Sequence, residues 1–251
     1  LKPGIDPLSP DNIFMVGGGP VNGTAALASA RWTVTTKSTV AVPGGLADGN
    51  GGGDFATKMK FAGYDQIVFY GRSPEPVYLW IDDDHVELRD ASHLWGKTNA
   101  ETNKLLWEEL GDREVRVLSI GPAGENLVRM TKVFSNITRS GGKGGIGAVM
   151  GSKNFKAIAV RGTGSVKIGK PSEFFQIVKD SYATKMTSPR TLKSMETGTL
   201  STLRGAAIVG ALSTRNAQSG YFEGWEKLTS EAFHEAGYQV KHRGCSACPV
   251  S

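Results

Sequence analysis

A chain of 251 residues, 39% of them hydrophobic, is long enough to bury one large core or two smaller ones, so size excludes no enzymatic function. Its formal charge of +5 is dispersed among acids such as Asp82, Asp83 and Asp84, with no basic run interleaved with aromatics, and no apolar stretch approaches the ~18 residues of a membrane helix; both nucleic acid and membrane are poor partners. No signal peptide is legible, and a single close cysteine pair is no secreted disulfide scaffold, which makes the cytoplasm the expected compartment.

The chain opens on Leu1 in a polar, Pro-rich connector, and both ends are expected to be cut. From Ile13 to about Gly162 short β-type runs alternate with turns: "IFMV", "WTVTTKS", "QIVFYG", "PVYLWID", "HVELRD", "VRVLSIG", "VRMTKVF" and "KAIAVRG". Two helices interrupt them, one around Asp54 to Ala62 and one from Asn99 to Leu110, where Leu105, Leu106 and Leu110 share a face. "PVYLWIDDDHVELRD" reads as a hairpin turning at its aspartates, which suit a solvated turn better than a cation site. After Lys170 the texture changes: Ser172 is the expected N-cap of a helix carrying Phe174, Phe175, Ile177 and Val178, and "TLSTLRGAAIVGAL" and "SEAFHEAGYQ" also read as helical. The expected division is a β-rich domain over 1–168 and the start of a helical domain over 169–251.

The 33 glycines, nearly twice the usual share of about 7%, are clustered, as backbone is when it turns sharply or lies close to something. "GKGGIG" (142–147) matches G-x-G-x-x-G, but the following strand ends in Arg161 where a ribose-binding acid is wanted, and Lys143 stands wrongly for a Walker motif. What remains is a glycine loop leading into a short helix whose first amides are candidates to face an anion, with Arg139 just before it. Arg31 opens a β-run, and its guanidinium suits phosphate or a planar heterocycle; Asn50 offers an uncharged oxygen to a hard cation. Each also has a plain reading, a solvated arginine or an Asn-Gly turn. His85, His93, His234 and His242 show no metal-ligand spacing, and Glu125 lacks a partner that would make it a base. Cys245 and Cys248 admit three readings: a thioredoxin-type pair, half of a zinc site, or part of an iron–sulfur motif, ranked first because Pro249 follows directly.

Together these segments closely resemble the tungsten-dependent aldehyde ferredoxin oxidoreductase family. The matching stretches are "DPLSPDN", "RWTVTTKS", "KFAGYDQIVFYGRSPEPVYLWIDDDHVELRDASHLWG", "SIGPAGENLVRM", "GGKGGIGAVMGSKNFKAIAVRG" and "CSACP", in order over about residues 6 to 251. The resemblance implies an α+β fold, an N-terminal domain of two β-sheets with flanking helices followed by mainly helical domains. Two pyranopterin dithiolenes holding one tungsten, or molybdenum in some relatives, would sit on the first domain. Arg31 would match a pterin-contacting arginine, Asn50 and Gly52 would fall in one loop that touches the cofactor, and Arg139, Ser140 and Gly142 in a second. The Asn50 side chain and the Ser140 carbonyl would ligate a magnesium ion that bridges the pterin phosphates. Cys245 and Cys248 would be two of the four thiolates of a [4Fe–4S] cluster, the third falling just after Ser251. The implied reaction is oxidation of an aldehyde to a carboxylic acid, with ferredoxin as acceptor; the resemblance leaves room for a homodimer, and names no catalytic acid or base in this stretch. The alternatives are a subunit like tungsten-dependent benzoyl-CoA reductase, a nucleotide-binding module using "GKGGIG", or a zinc protein using the cysteines. Departures fall at the cofactor loops: Lys143 replaces the arginine of the family's "GRGG", the stretch between Ser38 and Asn50 is about two residues longer than usual, and "NGGGD" (50–54) replaces a more typical Ser-containing loop. The isolated 251 residues are expected to be inactive, having too few thiolates for a cubane cluster.

Overall fold

The computed structural model describes residues 2–41, 44–238 and 244–250. They form two compact units, 1–169 and 170–251.

In the first unit, alternation of apolar and polar residues produces a four-stranded antiparallel sheet. Its strands are β1 (Phe14–Gly18), β2 (Trp32–Lys37), β3 (Leu46–Gly51) and β4 (Gln66–Phe69), in the order β3-β2-β1-β4. Phe14, Val16, Trp32, Val34 and Ala47 point inward and are buried, while Met15, Thr33, Thr35, Asp48 and Asn50 alternate with them on the opposite face. Helix α1 (Phe55–Phe61) follows β3 directly and buries Phe55, Ala56 and Met59.

A second sheet of six strands has the order β6-β5-β10-β7-β8-β9. It contains β5 (Val77–Asp82), β6 (His85–Asp90), β7 (Arg116–Ser119), β8 (Val133–Ser135), β9 (Arg139–Gly141) and β10 (Phe155–Arg161). Only the β5–β10 pair is parallel. Strand β10 is apolar on both sides from Ala157 to Val160, between Lys156 and Arg161, because both its faces are covered. Ile158 and Val160 join the core between the sheets, with Phe14, Trp32, Leu118, Ile146 and Val149, and Ala157 and Ala159 face a second cluster built from Tyr78, Trp80, Leu94 and Leu106. Helix α2 (Asn99–Glu109) supplies Leu106 to that cluster, with Leu105 and Leu110 packed against it; Thr98 and Glu101 close a capping box at its start. Two short helices, α3 (Pro122–Glu125) and α4 (Ile146–Ser152), complete the unit.

The second unit carries α5 (Pro171–Met186), α6 (Pro189–Thr197), α7 (Leu203–Ile208) and α8 (Ser230–Glu235), with 3-10 turns between them. Neither α5 nor α6 buries a residue, and Phe175 and Ile177 are more than half exposed. No described helix is long and apolar enough to cross a membrane.

The α+β architecture of two sheets with flanking helices agrees with the sequence reading, and three local expectations need correction. Ser172 is not the N-cap: Lys170 is, two residues earlier, because Pro171 presets the helical φ and lacks the N–H that a first-turn position leaves unused. Of "VRMTKVF" only Val133 and Phe134 are strand, as the first two residues of β8; Leu127, at φ 56°, turns the chain before it. Arg139–Gly141, read as a loop, is the edge strand β9. Gln239 and His242 lie outside the described residues.

Candidate cofactor site

The outer face of the first sheet is a grid of small and polar side chains. Strand register aligns Asn50, Thr33, Gly17 and Gln66 in one row across four strands, and Asp48, Thr35, Met15 and Val68 in the next. Side chains in such a row are direct neighbours. The Thr33 hydroxyl donates to Asn50 Oδ1 at 2.8 Å, and Asn50 Nδ2 donates to Asp48 Oδ1 at 3.2 Å. A recess of about 380 Å³ opens on this face, lined by Gly17, Gly18, Gly19, Thr33, Thr35 and Gln66 among others. Arg31, exposed, immediately precedes β2.

Trp32 joins the two sequence-predicted loops. Its indole is fully buried, and Nε1–H donates to the Gly52 carbonyl at 2.9 Å. A Cβ on Gly51 would stand 2.1 Å from the ring, and one on Gly141 would stand 2.5 Å from it. The end of β3 and strand β9 therefore rest on one tryptophan, and both must be glycine where they touch it. Gly53, at φ 99°, lies against the Arg139 stem, where a Cβ would meet Cγ at 3.2 Å. Asn50 and Gly52 are thus brought together with Arg139, Ser140 and Gly142. The sequence reading passed over Trp32, Thr33, Thr35, Gly17 and Gln66. The only signal for them was the alternation in "WTVTTKS", which marks a strand with a hydroxyl-bearing face.

Most glycines of these loops are required by protein packing. A Cβ would meet Ile146 at 2.5 Å on Gly49, Ala47 at 2.4 Å on Gly144, and both Thr39 Oγ1 and the Arg129 carbonyl within 2 Å on Gly145. Gly142 differs: a Cβ there would meet nothing within 4 Å. Its neighbour Lys143 is exposed.

The start of α4 corrects the anion reading of "GKGGIG". The Gly147 N–H donates to the Thr131 carbonyl, and all seven residues of the helix are buried, so its first turn is closed against protein backbone. Glu125 is likewise occupied structurally. It forms a buried ion pair with Lys156 and accepts from the Gly96 N–H at 2.8 Å, while Lys156 also donates to the Lys97 carbonyl at 2.8 Å. Burial pushes the Lys156 ammonium below its ordinary range, and the Glu125 carboxylate opposes that shift. The Asp82–Asp84 turn is tied to protein too: Asp82 pairs with Arg161, and Asp83 takes the Thr163 N–H at 2.7 Å and its hydroxyl at 2.6 Å.

In the second unit Cys245 and Cys248 are free thiols, half-buried, on one turn closed by the Cys248 N–H to the Cys245 carbonyl at 3.1 Å. Among the described residues no group of three or more His, Cys, Asp or Glu side chains is placed to hold a metal ion.

Two family models match the chain: "Aldehyde ferredoxin oxidoreductase, N-terminal domain" over residues 1–162 and "Aldehyde ferredoxin oxidoreductase, domains 2 & 3" over 176–251. The chain belongs to the aldehyde ferredoxin oxidoreductase family. It is 41% identical, over its whole length, to 41% of the tungsten-containing aldehyde ferredoxin oxidoreductase of Pyrococcus abyssi. It is 28% identical to an aliphatic sulfonate oxidoreductase, WOR-like subunit, of Pyrococcus furiosus, covering 98% of this chain and 40% of that one. A solved structure of the active site complex BamBC of benzoyl coenzyme A reductase, in complex with 1,5-dienoyl-CoA, superposes with a TM-score of 0.77 at 31% identity, over 98% of this chain and 39% of that one. This member of the aldehyde ferredoxin oxidoreductase family therefore spans about two-fifths of the length of the curated relatives it matches.

The first unit presents exposed oxygen donors and open main chain. Asn50 Oδ1, the Thr33 hydroxyl and the Asp48 carboxylate are hard oxygen donors on one exposed face, the type that Mg²⁺ prefers. Open space over Gly142 leaves room for a ligand against main chain. Two thiols on one turn are the chemistry of an iron–sulfur ligand pair, and such a cluster takes four thiolates, of which this chain has two.

Proposed function

We propose that the chain is the cofactor-carrying part of an oxidoreductase that converts aldehydes to carboxylic acids and delivers the electrons to ferredoxin, working in the cytoplasm. The observation that carries this reading is the junction on Trp32: the Asn50 and Arg139 loops meet beside an open polar face, and Gly142 looks into free space. When bound, a tungsten bis-pyranopterin supplies the two-electron oxidation, with a [4Fe–4S] cluster as the electron exit. The first domain, residues 1–168, holds and orients. Arg31 and Arg139 offer guanidinium forks to phosphate. Asn50 Oδ1 and the Ser140 carbonyl offer oxygens to Mg²⁺, and the main chain at Gly52 and Gly142 lets the flat ligand approach closely. Cys245 and Cys248, in the domain beginning at 169, contribute two thiolates to the cluster. No residue of this chain is assigned as general acid or base, and Glu125 is already committed to Lys156.

Gly142→Ala tests the reading. Its Cβ has room in the protein, and its φ is not in the left-handed region, so the full-length variant keeps the wild-type unfolding midpoint. Tungsten and pterin per chain should fall at least fivefold, and aldehyde-dependent viologen reduction with them; wild-type loading would refute the seat. Iron content of Cys245→Ser, measured on the full-length protein, should fall to background. A second reading, a ring-reducing subunit like that of benzoyl-CoA reductase, is favoured by the 0.77 TM-score at 31% identity. The higher identity, 41%, lies with the aldehyde enzymes. A loaded full-length protein that turns over no aldehyde but reduces an aromatic thioester would reverse that ranking.

A further inference from the structure

Asp54 sits at the N-cap of α1, directly after the candidate loop Asn50–Gly53, yet its side chain caps nothing. An N-cap aspartate ordinarily accepts an N–H of the first helical turn. Here the carboxylate is turned elsewhere: Oδ1 accepts from Asn136 Nδ2 at 3.0 Å and Oδ2 accepts from Arg116 Nε at 2.5 Å.

Both partners are themselves fixed to one strand. Asn136, held at φ 50°, donates its backbone N–H to the Val117 carbonyl at 2.6 Å, and its Oδ1 accepts the Val117 N–H at 3.1 Å. With both backbone groups of Val117 taken, the Asn136 amide has one orientation, and its Nδ2 points at Asp54. The Asn136 carbonyl accepts from Asn103 Nδ2 at 3.3 Å. Arg116 precedes Val117 on β7 and donates from Nη1 to the Arg113 carbonyl at 3.1 Å, with its side chain only 15% exposed. Residues 116 and 117 thus grip the carboxylate on one side and the turn after β8 on the other, and Asp54 closes the triangle. On one side of that triangle lies the loop with Asn50 and Gly52, and on the other the start of β9 with Arg139, whose stem runs against Gly53.

We propose that Asp54 is a positioning residue, with Arg116 and Asn136, that fixes the spacing between the two loops and so sets where the Arg139 guanidinium and the Asn50 amide meet a phosphate-bearing, flat-ring ligand. The inference rests on the cofactor seat proposed above. It explains why a helix start would forgo its own cap: the carboxylate does more by joining two loops separated by 82 residues than by taking one local N–H.

The test uses the full-length protein from a host that makes the pterin cofactor. Asp54→Ser breaks the clamp but supplies a side chain that can cap α1, and Arg116→Gln breaks it from the other side without touching either loop. For both, the far-UV spectrum and unfolding midpoint should stay near wild type, while the rate of pterin release at a temperature where the fold persists should rise at least tenfold. Tungsten and pterin per chain should drop, and Asp54→Glu should recover part of the loading. Wild-type release rates and loading in both variants would overturn the clamp. Loss of the fold in both would overturn it too, since the triangle would then be structural and not positional. A wild-type protein with neither tungsten nor pterin would sink the seat itself, an outcome distinguishable from either of these.

Discussion

Gly141→Ala and Trp32→Phe, made singly and together, measure whether the tryptophan holds the two loops. The added Cβ at 141 would stand 2.5 Å from Trp32 Cη2 and 2.6 Å from Cζ3, with Val133 at 3.3 Å. The ring is fully buried and already meets Gly51, so it has no free end to swing away. Overpacking of this type costs about 1–3 kcal/mol, and the two close approaches argue for roughly 2. Trp32→Phe removes the donor to the Gly52 carbonyl, about 1 kcal/mol where water can reach the half-buried acceptor, and leaves a partial cavity worth another ~2. Phenylalanine, however, does not fill the far edge of the indole, and the methyl group added at position 141 falls into that space. The double variant should therefore lose only ~3 kcal/mol where the single losses add to ~5, a coupling of about 2. Urea unfolding with an unchanged slope reads this directly from the midpoints. Additivity to within about 0.5 kcal/mol would show that Gly141 does not rest on Trp32 and would remove the argument that joins the loops.

Three further outcomes follow from the buried charges. Glu125→Gln strands the Lys156 ammonium and should cost about 3–5 kcal/mol, whereas Glu125→Leu combined with Lys156→Met should come close to wild type; a Glu125→Gln variant within about 1 kcal/mol of wild type would contradict the buried pair. Burial, with the like charge of Arg72, pushes Lys153 down to about 8, below its value of 10.5 in the unfolded chain. Between those two values the unfolded state binds the extra proton, so stability rises with pH there, and Lys153→Met should abolish the rise in a denaturation series. Burial and the Glu109 carboxylate push Tyr78 up to about 12 from 10.0, so above pH 10 the unfolded chain loses a proton that the folded one keeps. Stability should then fall, and Tyr78→Phe should remove the fall; an identical high-pH limb in the variant would place that titration elsewhere.

The sheet strands were legible because β-branched and aromatic runs such as "WTVTTKS" and "PVYLWID" stand between turns, and α2 because Leu105, Leu106 and Leu110 share a face. Strand β9 was not, because a three-residue edge strand made of Arg, Ser and Gly carries no alternation. The start of α4 misled for a related reason: "GKGGIG" has the spacing of an anion loop, but whether those amides are free depends on Thr39 and on the carbonyls of Arg129 and Thr131, all remote in sequence. Glu125 showed no partner locally because Lys156 lies 31 residues on. Trp32 is the clearest case, since one aromatic in a strand gives no hint that two remote glycines must rest on it.

The glycine surplus itself changes meaning in three dimensions. Read as a sequence, its clusters suggest backbone lying against a ligand; in the fold, most of that closeness is protein against protein. Gly151 lies on the Gly124 carbonyl, where a Cβ would stand 2.1 Å away, and Gly162 on the Lys58 carbonyl at the same distance, so short helices pack through bare main chain. Gly49, Gly51, Gly141, Gly144 and Gly145 are bound in the same way. Subtracting every glycine whose missing side chain the protein explains leaves Gly142 within the second loop, beside Arg139 and across Trp32 from Asn50. Within that loop Gly142 alone keeps open space where a side chain would stand, and this space is what the proposed cofactor seat uses.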